Sequence, residues 1–339
     1  MHSHRSTSKD TIAIVGGESL LGKEVRDLLE SSDLKAGLTL IASGESPDTS
    51  VIRGGQEEPE VMTSLQTSDL VSAKAIVLAG TPESSRRAYE QVKGGSGPVI
   101  VDLSSALEDR PEARLRAPMV EPAGFRGASR IQAIAHPAAI AIALLLKELR
   151  KAGNIRRSVV QIFEPVSERG QAGIDELQKQ TVGLLSFKQL PKDVYDAQVS
   201  FAMLSQYGSE SQHSLAAIEQ QIDRHLASLL ASTDSVPMPS LRLIHAPVFH
   251  GYSISLWVEF DTNPGVAVIE KALAGEYIDV RTSEHEPPTN VGVAGQSGIT
   301  VGAISIDRNE PRACWFWMVA DNLRLAAENS VEVVREVLE

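Results

Sequence analysis

A glycine-rich segment near the start of the chain has the residue types of a phosphate-binding turn. The run Thr11–Val15 (TIAIV) is β-branched and predicts a buried parallel strand. The segment GGESLLG follows it, and apolar residues then recur at helical spacing, so the glycines lie between a strand and a helix. Such a turn lets the backbone approach a pyrophosphate at a helix N-terminus. The candidate dinucleotide-binding residues are Gly16, Gly17, Ser19, Leu20, Leu21 and Gly22.

The type of dinucleotide depends on the loop after the second predicted strand, residues 38–42. That strand ends at Ser43-Gly44-Glu45-Ser46. A carboxylate at this place accepts hydrogen bonds from an adenosine ribose and repels a 2′-phosphate, so Glu45, beside Ser43, favours NAD over NADP. Two alternatives stay open. Ser19 replaces the middle glycine of G-x-x-G-x-x-G, which leaves room for a turn that binds nothing, and Glu45 is equally well read as a solvated loop residue.

The chain has one thiol, and its surroundings do not suit a nucleophile. Cys314 lies in the run RACWFWM, residues 312–318, which predicts a buried strand. A cysteine in such a strand is typically a small packed hydrophobe. A single cysteine also excludes an internal disulfide and fits the reducing conditions of the cytoplasm, the expected location.

Length and composition bound the class of protein. The 339 residues predict two domains, and 42% hydrophobic with 22% charged residues is typical of a globular protein. A net charge of −12 argues against nucleic acid or an anionic membrane surface as a partner. No window reaches the roughly 18 consecutive apolar residues of a membrane span. Residues 1–10 are polar and are expected to form a disordered tail.

Further predicted elements arrange the chain in two parts. Strands at 38–42, 75–79 and 99–103 alternate with helical stretches and predict a doubly wound α/β domain over residues 11–135. Residues 136–318 have a different, mixed α+β texture, and a helix is predicted over 319–339. The elements predicted in the second part are an aliphatic helix at 138–146, strands at 158–164, 241–247 and 252–260, and helices at 175–185 and 212–230.

Motifs along nearly the whole chain resemble those of the aspartate-semialdehyde dehydrogenase family. They are the glycine turn, VDLSSA at 101–106, VS with AG and EL between 166 and 177, APVF at 246–249, and VADNLR at 319–324. The resemblance implies an NADP-binding Rossmann domain, to which Asn322 also contributes. It further implies a dimerisation domain resembling that of glyceraldehyde-phosphate dehydrogenase, a homodimer, and a C-terminal helix that packs back on the first domain.

The same resemblance implies a set of catalytic residues, and this chain lacks them. In the family a cysteine thiolate attacks the carbonyl carbon, a histidine moves protons, a glutamine positions the substrate, one arginine binds its carboxylate and a second binds phosphate. In the same order, those positions are occupied here by Pro137, Tyr252, Glu164, His245 and Glu108. The replacements resemble the USG-1-like branch of the family, which also lacks the cysteine. We therefore expect a protein without the parent reaction, a pseudoenzyme.

Two alternatives keep an activity. The first is an oxidoreductase acting on an aldehyde or acyl substrate in amino-acid biosynthesis. The second is new acid–base or metal chemistry, because His136, His245, His250, Tyr252 and Glu164 all map around the family's catalytic pocket. A metal site there would use His136, His245 and Glu164. No pair among these residues has the i, i+4 spacing of a strong metal motif, so no bound metal is predicted.

Overall fold

A computed structural model describes residues 10–44, 50–52, 60–94, 97–231 and 236–339. The chain divides into two units. The first contains the residues up to Pro118, residues 122–134 and residues 327–339. The second contains residues 119–121 and 135–326. The predicted tail and Glu45 lie outside the described residues, apart from Asp10.

The first unit is built around a parallel sheet of six strands in the order β2-β1-β5-β6-β8-β7. Two short strands, β3 and β4, pair with each other separately. The elements are β1 (Thr11–Val15), α1 (Leu20–Ser31), β2 (Gly37–Ile41), β3 (Ser50–Ile52), β4 (Glu60–Met62), α2 (Thr67–Ser72), β5 (Ala75–Leu78), α3 (Pro82–Val92), β6 (Val99–Asp102), β7 (Ala113–Arg116) and β8 (Ile131–Ile134).

The central strands of this sheet are buried on both faces, as their apolar runs predict. Every residue of β5 is buried, and so are the last four of β1, because helices lie over a parallel sheet. The chain runs from β1 outward to β2 and then crosses to β5 on the other side of β1. The predicted doubly wound sheet is confirmed, and the turn after β1 lies at the topological switch point where such sheets bind ligands.

The end of the chain belongs to this first unit. Arg116 on β7 is fully buried, and its guanidinium donates to both carboxylate oxygens of Glu336 at 2.8 and 3.0 Å. Arg335 pairs with Asp33 at 2.6 Å, after α1. The buried guanidinium therefore depends on a partner from the last helix.

The second unit contains a mixed sheet in the order β10-β9-β11-β14-β13-β12. A 3-10 turn at Val166–Arg169 follows β9. The elements are α4 (Pro137–Ala152), β9 (Ile155–Glu164), α5 (Gly170–Leu185), α6 (Leu215–Leu230), β10 (Ser240–His245), β11 (Tyr252–Phe260), α7 (Val266–Leu273), β12 (Ile278–Val280), β13 (Ile299–Ile306), β14 (Ala313–Ala320) and α8 (Asn322–Leu338), whose last part is counted with the first unit.

The two faces of the mixed sheet differ sharply. One face holds Val160, Leu256 and Phe316, which pair in register and are at most 2% exposed. Helix α4 contacts β9, α6 and α7. Its residues 138–146 are all buried, as their aliphatic run predicts. The other face carries Val159, Trp257 and Trp315 in one register row, and it is more open, since Val159 and Trp315 are 43% and 42% exposed.

Within the described residues, no helix is both long enough and apolar enough to cross a membrane.

Candidate functional sites

The glycine turn after β1 is too tight for side chains at two positions. Gly16 has φ +85°, and a Cβ added to it would lie 2.3 Å from the Cα of Gly80. A Cβ on Gly22 would lie 2.1 Å from the carbonyl oxygen of Gly16. The ends of β1 and β5 and the start of α1 therefore come together in a way that only glycine permits.

Ser19 takes the place of the expected middle glycine without opening the turn. Its hydroxyl donates to the carbonyl of Ala79 at 2.8 Å and accepts from the amide of Gly22 at 2.8 Å. The side chain thus points into the protein and caps α1. Leu20 and Leu21 form the first turn of α1, where backbone amides lack intrahelical acceptors and favour an anion. The backbone geometry suits a dinucleotide's pyrophosphate.

A carboxylate lies beside the end of β2, but it is not the one expected there. Glu18 accepts hydrogen bonds through Oε1 from the amide of Ser43 at 2.9 Å and from the Ser43 hydroxyl. Its Oε2 is buried and has no hydrogen-bond partner within the described residues. The guanidinium of Arg87 on α3 donates to the carbonyl of Ser43 at 2.7 Å. Sequence reasoning missed Glu18 because the contact joins residues 25 positions apart.

At the start of α4, where the sequence predicts the family's cysteine position, the structure has a proline and no nucleophile. Pro137 is the first residue of the helix, where proline is well tolerated because the amide would be unpaired anyway. His136 is the N-cap, and its Nδ1 accepts from the amide of Ala138 at 3.3 Å. The backbone amide of His136 donates to Nδ1 of His225 at 2.9 Å. His136 and Pro137 therefore form the N-terminal cap and first position of the helix.

Glu164 at the end of β9 is buried and held by two partners. Arg169 donates to its Oε1 at 2.6 Å, and the hydroxyl of Tyr207 donates to its Oε2 at 2.9 Å. Burial lowers the pKa of Arg169, but the carboxylates of Glu164 and Glu168 act against burial, and the net shift is upward. Arg169 therefore stays charged and neutralises Glu164. Neither Arg169 nor Tyr207 was predicted, because each is recruited from an irregular segment outside the recognised motifs.

His245 extends this group as a neutral ring. Its Nδ1 lies 3.1 Å from the Tyr207 hydroxyl, whose proton is directed to Glu164, so Nδ1 carries the imidazole proton and donates it. Burial first, and Arg169 second, lower the pKa of His245 to about 4. Its Nε2 is buried without a hydrogen-bond partner among the described residues. The position that the sequence assigns to the family's carboxylate-binding arginine is therefore a neutral imidazole.

Glu168 is a largely buried carboxyl group whose charge depends on pH near neutrality. Burial and the nearby charge of Glu164 raise the pKa of Glu168 to about 7, against the opposing effects of Arg169 and Asn322. The amide of Asn322 donates to Glu168 Oε1 at 2.9 Å and also bonds to Ser167. Nε2 of His136 lies 4.0 Å from Glu168 Oε2. The sequence analysis places Tyr252 among the residues around the family's catalytic pocket but does not include Glu168.

Tyr252, which the sequence predicts to occupy the family's histidine position, is fully buried at the start of β11. Its ring centroid lies 6.1 Å from that of His136. Burial raises the pKa of Tyr252 well above its usual value, so the phenol stays protonated. The nearby carboxylates of Glu168 and Glu164 add to this upward shift of the pKa, and Arg169 opposes it.

The structure brings together three residues with metal-ligand atoms, and they differ from the predicted set. Ligand atoms of His136, Glu164 and Glu168 lie within 4.8 Å of one another, and no described group of this kind includes His245. Two features act against a cation there. Arg169 already holds Glu164 at 2.6 Å. His136 accepts a backbone hydrogen bond at Nδ1, so its proton sits on Nε2, the atom that faces Glu168.

The remaining predicted residues have structural surroundings. Cys314 is fully buried in β14, its pKa is raised by burial, and its sulfur accepts from the Asn263 amide at 3.5 Å, which confirms the prediction of a packed thiol. His250 precedes β11, and its carbonyl accepts from Asn290 at 3.0 Å. Glu108 belongs to the first unit, in the turn after β6.

These observations define an α/β protein with two units. The first has a Rossmann-type turn, and the second has a buried polar cluster beside its mixed sheet. A family model described as "Semialdehyde dehydrogenase, dimerisation domain" matches residues 146–325, more than half of the chain. The chain belongs to the semialdehyde dehydrogenase family, as the motifs of its sequence predict.

Relatives of two kinds match nearly end to end. The aspartate-semialdehyde dehydrogenase of Rickettsia bellii is 25% identical, with 98% of this chain and 98% of the relative aligned. A USG-1 protein homolog from Pseudomonas aeruginosa is 28% identical, over 96% of this chain and 97% of the relative. Among solved structures, a probable aspartate-semialdehyde dehydrogenase from Pseudomonas aeruginosa superposes with a TM-score of 0.83 at 26% identity, covering 98% and 99% of the two chains.

Proposed function

We propose that this chain is a dinucleotide-binding, self-associating semialdehyde dehydrogenase homologue that does not run the family's thiol chemistry. The observation that carries the proposal is the start of α4, where His136 caps the helix and Pro137 occupies its first position. A thioacyl intermediate requires a thiolate, and a proline side chain has no lone pair or acidic proton to replace it. Cys314 is buried in β14 with a raised pKa, so it is not an activated thiol.

The groups that would hold the family's anionic substrate have also changed. Arg169 is paired with Glu164, and His245 is neutral, so this cluster has no unpaired cation to offer. Glu168 adds a further negative charge above about pH 7. A substrate carboxylate or a phosphate would therefore be repelled or left without a counter-ion.

The loss of the parent reaction is tested by the phosphate-dependent reduction of NAD or NADP with aspartate semialdehyde. We expect no turnover above the reaction without protein. A variant carrying Pro137→Cys and Tyr252→His together tests how much of the scaffold is still usable. The proposal is wrong if the unmodified chain turns over and Tyr252→Phe abolishes that turnover.

Dinucleotide binding is supported by the turn after β1, with no contribution from the changed cluster. Gly16, Gly22 and the inward-pointing Ser19 leave the backbone at the start of α1 available to a pyrophosphate. A bound dinucleotide would supply hydride chemistry in a family enzyme. In this chain we propose that Gly16, Gly17 and the first turn of α1 hold it.

Binding is tested by calorimetric titration of NAD and NADP. The variant Leu20→Asp places a carboxylate in the first turn of α1, where it suits the helix dipole but repels a pyrophosphate. We expect it to fold and to lose binding. Ser31→Asp, which adds the same charge at the far end of α1, is the matched control. Absence of binding of both nucleotides to the unmodified chain would remove this part of the proposal.

Self-association is supported by the open face of the mixed sheet. All three tryptophans of the chain lie on its strands, as Trp257 on β11 and as Trp315 and Trp317 on β14. These residues share a register row or the adjacent row of the same face. Large aromatic side chains on an exposed sheet face are typical of an interface, and the matching family model describes a dimerisation domain. We therefore propose a homodimer, which Trp315→Glu is expected to dissociate in sedimentation velocity.

A second candidate function, reduction of an aldehyde with Glu168 as the proton donor, is favoured by the properties of Glu168. A carboxyl group with a pKa of about 7, 4.0 Å from an imidazole, is suited to proton transfer at neutral pH. Glu168 would protonate the oxygen of an aldehyde in a reduction to the alcohol, a reaction for which a reduced nicotinamide cofactor would supply the hydride chemistry. A panel of short aldehydes tests this. The candidate requires a rate that falls as pH rises through about 7 and is lost in Glu168→Gln.

A further inference from the structure

The end of β2 carries a carboxylate that no motif assigns to the cofactor. Strand β2 ends at Ile41, and Ser43 follows two residues later. Glu18, from the glycine turn, accepts from both the amide and the hydroxyl of Ser43. Its second oxygen, Oε2, is buried and makes no hydrogen bond within the described residues. A buried carboxylate oxygen without a donor is costly, so it points to a missing hydrogen-bond donor.

The position of this carboxylate is the one at which dinucleotide-binding sheets distinguish their ligands. In such sheets an acidic side chain by the end of the second strand accepts hydrogen bonds from the adenosine ribose, whereas an arginine accommodates a 2′-phosphate. Resting on the proposed dinucleotide binding, we propose that Glu18 selects a dinucleotide with an unmodified ribose, NAD, by accepting from the 2′-hydroxyl and repelling a 2′-phosphate.

Arg87 makes this selection a balance of two charges. Its guanidinium donates to the carbonyl of Ser43 at 2.7 Å, so a cation and a carboxylate both adjoin the same residue. The carboxylate of Glu18 belongs to the glycine turn and follows Gly17, whereas Arg87 belongs to α3. With Glu18 neutralised, Arg87 is the charge that remains beside Ser43, and it favours the 2′-phosphate of NADP.

The experiment compares the affinities of NAD and NADP for the full chain and for Glu18→Gln by isothermal titration calorimetry. The amide of glutamine can still accept from Ser43, so the turn is retained. We expect the unmodified chain to bind NAD at least about tenfold more tightly than NADP, and Glu18→Gln to shift that ratio about tenfold or more toward NADP. Glu30→Gln, the same charge change at the other end of α1, is expected to leave the ratio unchanged.

A double variant identifies the opposing charge. Adding Arg87→Met to Glu18→Gln is expected to remove the gain in NADP affinity while NAD affinity changes little. An unchanged ratio in Glu18→Gln, or a preference of the unmodified chain for NADP, overturns the role of Glu18 and leaves dinucleotide binding intact. If neither nucleotide binds the unmodified chain, the proposed function fails and this inference fails with it.

Discussion

The glycine turn of the first unit and the polar cluster of the second have changed in opposite ways. At the turn, one of three expected glycines is replaced by Ser19, yet the backbone keeps its shape because the hydroxyl caps α1 and bonds to Ala79. At the cluster, the strands and helices have the expected order, but Glu164, His245 and Tyr252, at the predicted catalytic positions, bond to or pack on the protein itself. A site made of backbone tolerates a changed side chain, whereas a site made of side chains does not.

The largest expected effect tests whether the cluster is structural. Arg169→Met leaves Glu164 buried without its counter-ion, and removal of one partner of a buried pair typically costs about 4 kcal/mol. We expect that loss in urea unfolding at pH 7. The double variant Arg169→Met with Glu164→Gln should recover much of the stability, since no unpaired charge remains. A cost below about 1 kcal/mol for the single variant would contradict a structural pair.

A second, pH-dependent effect concerns Glu168. Its pKa of about 7 lies above the ordinary 4.5, so between these pH values the folded protein keeps a proton that the unfolded chain has lost. Stability should therefore fall as pH rises from about 4.5 to 7 and then stay level, with a total loss of up to about 3 kcal/mol.

Glu168→Gln removes this ionisation, so the slope in that pH window should be reduced and the variant should be the more stable protein at pH 8. Glu276→Gln, at an exposed position, is the matched control and should keep the slope. Urea unfolding at several pH values measures both. Equal slopes in Glu168→Gln and in the unmodified chain would mean that Glu168 is already ionised at low pH.

Gly22 is a buried position of the turn, and a methyl group should not be tolerated there. Gly22→Ala forces a Cβ to within 2.1 Å of the Gly16 carbonyl oxygen, and the backbone shift this demands should cost about 2 kcal/mol. Gly94→Ala, where a Cβ meets nothing within 4 Å, is the control in the same unit. Thermal unfolding compares the two. Similar stabilities would show that the turn relaxes easily.

The smallest effect is expected at Ser19. Ser19→Ala removes the cap of α1 and its bond to Ala79, which should cost about 1 kcal/mol, whereas Ser19→Gly should cost a few tenths. The same variants measured for dinucleotide affinity should bind like the unmodified chain, because the backbone provides the site. A loss of dinucleotide affinity in both variants would assign the hydroxyl a direct role in binding and would contradict a site provided by the backbone.

Much of the fold follows from periodicity, and the exceptions have physical causes. The strand β11 spans Tyr252–Phe260 as predicted, and α4 begins at Pro137, one residue before the predicted helix. Strand β7 was not predicted because its sequence, ARLR, contains a buried arginine whose charge is balanced by a carboxylate 220 residues away. Helix α5 begins at Gly170, five residues before the predicted start, since two of its first four residues are glycines.

The candidate sites were predictable where they depend on backbone and much less where they depend on pairs of side chains. Gly16 and Gly22 are recognisable from a local pattern. Glu18 is not, because its partner Ser43 comes from another strand end. Arg169 and Tyr207 meet at Glu164 from segments 5 and 43 residues away. Such contacts are determined by tertiary packing, and the spacing of residues in the sequence does not predict them.

The bond between Arg116 and Glu336 has a consequence for how the protein is made. These residues are 220 positions apart, so the guanidinium on β7 is synthesised well before the carboxylate that neutralises it. At about 5 to 20 residues per second, the delay on the ribosome is roughly 10 to 40 s. During that time the nascent first unit has a positively charged side chain without its permanent partner. Its completion must wait for α8, so its folding is coupled to synthesis of the end of the chain.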